Sequence, residues 1–248
     1  MNTKLIGLVS VTLAMVLLLL TSWGAASARG EEQRLHHVRP LAFEANRGQA
    51  DEQVKFLARG AGYTVFLTPT EAVVALGQGR SERAVVRLKA VGGSAASQIV
   101  PDGELPGVVN YSSGRPGSTS VSAPTYGRVR YVDVYPGVDL VYYGRPRQLE
   151  YDFVLAPGAD PSQIALTFDG AERVEIDTGG DLVLHTGAGE LRQPRPVVYQ
   201  EIDGARRPVV GDYVLDGEGR VRVRLGAYDA HAPCRDRPGP RVFHVSRR

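Results

Sequence analysis

The sequence has a single cysteine, Cys234, so no internal disulfide can form and the fold must hold by its core alone. Lysine is almost missing: of 29 Lys and Arg residues only Lys4, Lys55 and Lys89 are lysines. So strong a bias towards arginine is more simply a GC-rich genome than a phosphate-binding surface. The net charge of +2 lacks the basic excess of a nucleic-acid footprint, so no nucleic-acid partner is expected. Trp23 is the one tryptophan, which leaves the rest of the chain without a tryptophan platform for sugars. No Gly-x-Ser-x-Gly elbow, His-Glu-x-x-His pair or phosphate-cradling glycine loop is found. Helical periodicity never persists long enough for a βαβ unit.

What is present begins at the N-terminus. Lys4 precedes an apolar run from Leu5 to Leu20, interrupted only by Gly7, Ser10 and Thr12. Ala26-Ser27-Ala28 then supplies the small-x-small pattern that a signal peptidase accepts. The run of about 16 residues is short against the roughly 20 needed to span a bilayer. Residues 1–28 therefore read as a cleavable secretion signal, with an uncleaved anchor as the alternative. The expected location is secreted or cell-surface, with membrane contact only through the signal. Residues 29–40, which include His36-His37, read as a polar, flexible lead-in.

Glycine (29) and proline (16) make up about 18% of the chain, above the usual ~12%, which suits many turns between short strands. Two runs, Gly62 to Leu67 and Ala72 to Leu76, flank Thr68-Pro69-Thr70-Glu71 as a hairpin would. Ala84 to Val91 alternates apolar residues with Arg87 and Lys89, the pattern of a strand with one solvated face. Strands are predicted at Arg128–Val134, Asp139–Tyr143, Gln148–Leu155, Ile164–Phe168, Arg173–Ile176, Leu182–His185, Val197–Ile202, Val209–Leu215 and Val221–Leu225. Asp160-Pro161-Ser162-Gln163 reads as one capped helical turn. Strands spaced at roughly 8–12 residues mean a sandwich or barrel. The expected fold is all-β and sandwich-like over residues 41–229, in one body or two lobes divided within 112–124, with few or no helices after the signal.

Candidate chemistry is sparse. Glu150 and Asp152 lie two apart on one strand, so their carboxylates project from one face at roughly 6.5–7 Å, within the range glycoside hydrolysis uses. A solvated strand face is the preferred reading of this pair. Asp139, Asp177 and Asp181 could offer oxygen ligands to calcium, but Asp177-Thr178-Gly179-Gly180-Asp181 lacks the further acids of a calcium loop and reads as a turn. His36-His37 reads as solvated, Ser112-Ser113-Gly114 has no identifiable partners, and Asn110-Tyr111-Ser112 meets the glycosylation sequon. Leu41 to Gln49 places Glu44, Asn46 and Gln49 around Gly48, and the expected role is amide side chains satisfying backbone groups. No catalytic, cofactor or metal residue is assigned, no cofactor is expected, and the chain is not expected to be an enzyme.

Several motifs occur together in order. They are Leu41 to Gln49, Val54 to Gly60 with Tyr63, Tyr131 to Gly144, Leu149 to Phe153, Ala156 to Pro161, and Pro196 to Gln200. In these the chain resembles the N-terminal domain of bacterial SBBP repeat proteins, whose repeats form β-propellers, over about Leu41 to Asp229. The resemblance implies an exported or surface-displayed β domain of uncharacterised function ahead of propeller repeats, and transfers no catalytic residue.

The end departs from that pattern. After Asp229 the sequence becomes Pro233-Cys234-Arg235-Asp236-Arg237-Pro238-Gly239-Pro240-Arg241. Codons permitted for Pro233 to Arg248, read one nucleotide later, allow Leu-Val-Val-Ile-Asp-Pro-Val-Leu-Val-Tyr-Ser-Thr-Tyr-Leu-Gly, the segment with which such domains enter their repeats. Residues 230–248 are therefore expected to be a frameshifted tail, with Cys234 its by-product. The gene's nucleotide sequence tests this. The functional expectation is a non-catalytic exported module, adhesive or scaffolding, with a surface glycan or a protein as partner. The alternative is an extracellular hydrolase using Glu150 and Asp152.

Overall fold

A chain whose apolar residues recur every second position forms strands, and the computed structural model of this protein is built from them. It describes residues 40–77, 84–112, 120–145, 148–202 and 204–230, together with the backbone of residues 8–17. In chain order the strands begin with β1 (Leu8–Leu17), β2 (Phe43–Ala45), β3 (Phe56–Gly60), β4 (Tyr63–Leu67), β5 (Glu71–Leu76) and β6 (Ala84–Ala90). The long β7 (Gln98–Tyr111) and β8 (Val121–Tyr135) are followed by β9 (Val138–Arg145) and β10 (Gln148–Leu155). Then come β11 (Ala165–Asp169), β12 (Arg173–Ile176), β13 (Leu182–Thr186), β14 (Gly189–Gln193), β15 (Val197–Ile202), β16 (Ala205–Val209), β17 (Gly211–Leu215) and β18 (Val221–Leu225). Among the described residues the one helical element is the 3-10 turn Pro161–Gln163, capped by Asp160 as its sequence predicts.

All pairings are antiparallel, and β8 is where two branches meet. One branch runs from β8 through β2, β3, β4, β5 and β6 to β11, β18 and β17. The other runs from β8 through β9 and β10 to β1, β15 and β16. The meander β12–β13–β14 attaches to the end of β1. Thus the all-β reading holds. Of segment 112–124, read as a possible lobe boundary, residues 121–124 belong to β8, which pairs with β7, and residues 113–119 lie outside the described residues. Strands β1, β3, β7, β14 and β16 have no counterpart among the predicted strands; in β7, β14 and β16 the pattern is interrupted by Pro101, Pro106, Gly189 and Pro208.

One hydrophobic cluster spans both branches. At its centre an aromatic ladder crosses the sheet: Tyr131 packs on Tyr142 at 5.6 Å between ring centroids, Tyr142 on Tyr151 at 5.8 Å, and Tyr151 on Phe153 at 6.2 Å. Each such pair adds roughly 0.5–1.5 kcal/mol beyond the area it buries. Gln193, fully buried, accepts from the Tyr151 hydroxyl at 3.0 Å and donates to the Tyr213 hydroxyl at 2.6 Å, so both branches share one polar link. A β-bulge interrupts β8 at Asp133, whose φ of 51° is left-handed and whose N–H donates to Asp139 Oδ1 at 2.8 Å.

The position of β1 is the least expected feature. It lies between β10 and β15 and is antiparallel to both, with Val11 opposite Phe153 and Leu13 opposite Tyr151. Its sequence alternates: Val9, Val11, Leu13 and Met15 at odd positions, Ser10, Thr12 and Ala14 at even ones. The odd positions are those in register with the core residues Leu149, Tyr151, Phe153 and Leu155 of β10.

Candidate functional site

Strand β10 carries the pair singled out from sequence. Period-two geometry puts Leu149, Tyr151 and Phe153 on the core face and Glu150 and Asp152 on the other. The expected solvated face is corrected by the structure: Glu150 and Asp152 are each only 2% exposed. The physical reason is that β10 is an interior strand, with β9 on one side and β1 on the other, and β9 supplies polar partners. Arg145 Nε stands 2.9 Å from Glu150 Oε2, and the Tyr143 hydroxyl donates to Asp152 Oδ1 at 3.0 Å.

The electrostatics follow from that burial. Desolvation pushes the Glu150 carboxyl above the ordinary glutamate range, against the lowering pull of Arg145 and Tyr143. Tyr143 is driven far up by burial and then by the negative charge of Asp152 and Glu150, so it remains a protonated donor. The arrangement holds two carboxylates and a phenol in fixed geometry. Both carboxylates are directed at partners on β9.

The other sequence candidates are placed as follows. Asp177 and Asp181 share a turn and Arg192: Asp177 Oδ1 accepts from the N–H of Gly179 at 2.8 Å and of Asp181 at 3.0 Å. Asp139 serves the bulge at Asp133 and stands 3.4 Å from Arg130. Among the described residues no group of three His, Cys, Asp or Glu side chains could hold a metal ion. Asn110 lies at the end of β7 and Ser112 just beyond it, and Asn110 Oδ1 accepts from the Ser122 hydroxyl at 2.6 Å. Ser113, Gly114, His36, His37 and Cys234 lie outside the described residues.

The loop after β2 is a self-contained polar knot. Asn46 Nδ2 donates to the carbonyls of Asp51 at 2.7 Å and Val54 at 2.8 Å, while its Oδ1 accepts from Gly48 N at 3.0 Å and Ala50 N at 3.2 Å. Gln49 Nε2 donates to Ala45 O at 2.8 Å, so the amides do satisfy backbone groups. Glu44 has a different part. It meets Arg59 Nη1 at 2.8 Å and accepts from the Tyr111 hydroxyl, and the Arg59 guanidinium lies 5.3 Å from the Tyr111 ring centre. Sequence reasoning missed this trio because Tyr111 is 67 residues from Glu44. The usable signal was Arg59, a cation that directly follows the apolar run Phe56-Leu57-Ala58 within one strand.

A shallow hollow of about 310 Å³ lies beside Glu71, Lys89, Tyr131 and Thr167. Its charged groups pair with one another: Arg87 and Lys89 reach Glu71 at 2.5 and 3.6 Å, and Lys89 reaches Asp169 at 2.7 Å. A family described as a domain of unknown function (DUF7948) matches residues 43–234, which takes in β2 through β18 and leaves β1 outside. No curated protein and no solved structure matches the chain.

Proposed function

Because the chain belongs to the DUF7948 family, its role has to be read from its own residues, and we propose that it is an exported, non-catalytic β module with a scaffolding or adhesive role at the cell surface. The single observation that carries this is the engagement of both carboxylates by side chains of β9, Arg145 at Glu150 and the Tyr143 hydroxyl at Asp152. Two carboxylates suited to hydrolysis by spacing are thereby used to bind strands together. Export rests on the N-terminal pattern Lys4, Leu5–Leu20 and Ala26-Ser27-Ala28, with cleavage after Ala28. The resemblance to propeller-repeat proteins supports a place ahead of repeats in a larger surface assembly.

Two measurements test the reading. The whole chain, expressed in a secreting bacterial host, should appear outside the cytoplasm with Arg29 as its first residue. A screen of cell-wall fragments and glycans against that product should find binding without turnover. Cytoplasmic retention would overturn export. Glycosidase activity lost in both Glu150→Gln and Asp152→Asn would overturn the non-catalytic assignment in favour of the hydrolase.

A further inference from the structure

We propose that the hollow walled by β5, β6, β8, β9 and β11 is a binding site for an uncharged small molecule with an apolar body and one hydrogen-bond acceptor. The hollow measures about 310 Å³, at the lower end of the range that ligand pockets occupy. It opens where β8 leaves its register with β9. The pairs step from Tyr131↔Leu140 to Tyr135↔Val138, and Val134 in the gap forms part of the wall. Two turns complete the walls, and each is tied to β8. The Tyr131 hydroxyl donates to the carbonyl of Thr68 at 2.7 Å, which fixes the turn into β5. The N–H of Ser94 donates to the carbonyl of Val134 at 2.8 Å, which fixes the turn after β6. In that second turn Gly92 has a φ of +72°, and a Cβ on Gly93 would lie 3.1 Å from Val134 Cγ2. A larger residue at Gly93 would press on the wall. The hollow is thus held open by the protein's own bonds, as a pre-formed pocket is.

The lining sets the chemistry of the ligand. Leu88, Val134 and Leu140, all buried, give an apolar floor. Tyr142 stands among them, 2% exposed, with its ring packed between Tyr131 and Tyr151. Its hydroxyl has no hydrogen-bond partner among the described residues, and it is not sealed off as the Tyr63 hydroxyl is. A buried polar atom left unpaired costs about 1–3 kcal/mol, so the position favours a visitor that pairs it. Burial pushes the phenol up, which keeps Tyr142 a protonated donor. What it lacks is an acceptor. Charge, by contrast, is already matched at the mouth. Lys89 reaches Asp169 at 2.7 Å and Glu71 at 3.6 Å, and Arg87 also reaches Glu71. Two cations there face two carboxylates, so neither sign of ligand is favoured. The hydroxyls of Thr70 and Thr167 at the rim suit the polar atoms of a neutral molecule.

The test uses the whole chain and three probes of similar size. Acetophenone carries a carbonyl acceptor, ethylbenzene lacks it, and benzoate is charged. Each is titrated into isotope-labelled protein and followed by the amide shifts of Leu140 and Tyr142. The expected result is saturable one-to-one binding of acetophenone, with the other two weaker by about fivefold or more, the worth of one neutral hydrogen bond. Tyr142→Phe should bring acetophenone down to the level of ethylbenzene and leave ethylbenzene unchanged. Ser94→Trp, at an exposed position on the rim, should abolish binding of all three without lowering Tm. If either variant does lower Tm, the ranking and shift pattern of the three probes on the native chain decide. Absent saturable binding of acetophenone overturns the site, as does binding that survives Ser94→Trp. Benzoate bound as tightly as acetophenone overturns the neutral class of ligand. Equal affinity for acetophenone and ethylbenzene overturns the acceptor that Tyr142 calls for.

Discussion

Arg145 Nε lies 2.9 Å from Glu150 Oε2, yet the carboxyl is harder to ionise than an ordinary glutamate because burial outweighs the guanidinium. The pair is thus the reverse of a surface salt bridge, in which solvent carries most of the charge. Its energetic sign differs from that of most carboxylates. A group whose folded pKa is raised favours folding below its unfolded value, and that contribution is lost as pH rises through the folded value.

Glu150→Gln is therefore expected to match or exceed the native stability near neutral pH, by about 1 kcal/mol, or roughly 2–4 °C in Tm for a chain of this size. The amide keeps the shape, and Arg145, a quarter exposed, is not left as a buried charge. Thermal melts across the acid range should also show the variant losing the native chain's gain at mildly acid pH. A fall in Tm of several degrees would show that the ion pair stabilises the sheet after all.

Tyr63 gives a simpler case. Its hydroxyl is buried with no hydrogen-bond partner among the described residues, and burial pushes the phenol up to about 12. The ring itself is needed, for it packs over Gly60 so closely that a Cβ there would lie 2.2 Å from it. Tyr63→Phe should accordingly stabilise by about 1 kcal/mol, since it removes an unsatisfied polar atom and leaves the packing. Tyr63→Ala should cost about 3–5 kcal/mol. Urea midpoints for both variants check this, and a destabilised Tyr63→Phe would mean that the hydroxyl has a partner in solution.

Much of this architecture was legible because alternation writes itself locally. The strands around Val65, Leu88, Tyr151 and Val223 each carry a period of two, and the turns at Asp177 and Asp216 carry their own chemistry. What stayed hidden depends on neighbours far away in sequence. Glu150 and Asp152 look solvent-facing from β10 alone, and only the placement of β9 and β1 buries them. Gln193 gives no sign in its own segment that it links Tyr151 to Tyr213. The apolar run at the N-terminus reads as a signal by composition, and nothing in it marks β10 and β15 as its neighbours.

Asp216 sets the acid limit of the C-terminal hairpin. Its Oδ2 accepts from Arg220 Nε at 2.8 Å and Arg222 Nε at 2.9 Å, and its Oδ1 accepts from the N–H of Glu218 and Arg220 at 3.0 Å each. Hydrogen bonds from Arg220, then from Arg222 and the backbone, hold the carboxyl well below the aspartate range against a smaller opposing effect of burial. A depressed folded pKa contributes stability above the unfolded value, lost as pH falls through the folded one. Asp216→Asn should therefore lower Tm at neutral pH, and the gap to the native chain should close in strong acid. A gap of constant size across that range would assign the effect to turn geometry instead of charge.

Gly144 ties two distant sequence motifs together. A Cβ at this position would lie 2.2 Å from the carbonyl oxygen of Leu41 and 2.4 Å from the Leu41 Cβ, so the backbone leading into β2 passes directly over β9. The obstacle is backbone, which has no rotamer with which to step aside. Gly144→Ala must push the Leu41 segment away and disturb Phe43, which is fully buried two residues further on. The expected cost is about 1–3 kcal/mol, the usual range for overpacking a dense core. Gly158→Ala is the control: it has a φ of +76° but open space around its Cβ, so it suffers backbone strain without a collision. Denaturant unfolding of both variants separates the two effects. If Gly144→Ala proves no worse than Gly158→Ala, the close approach of Leu41 is not a constraint on the fold. If it is worse and β2 amides exchange faster, the register of β2 against β8 depends on the missing side chain at 144.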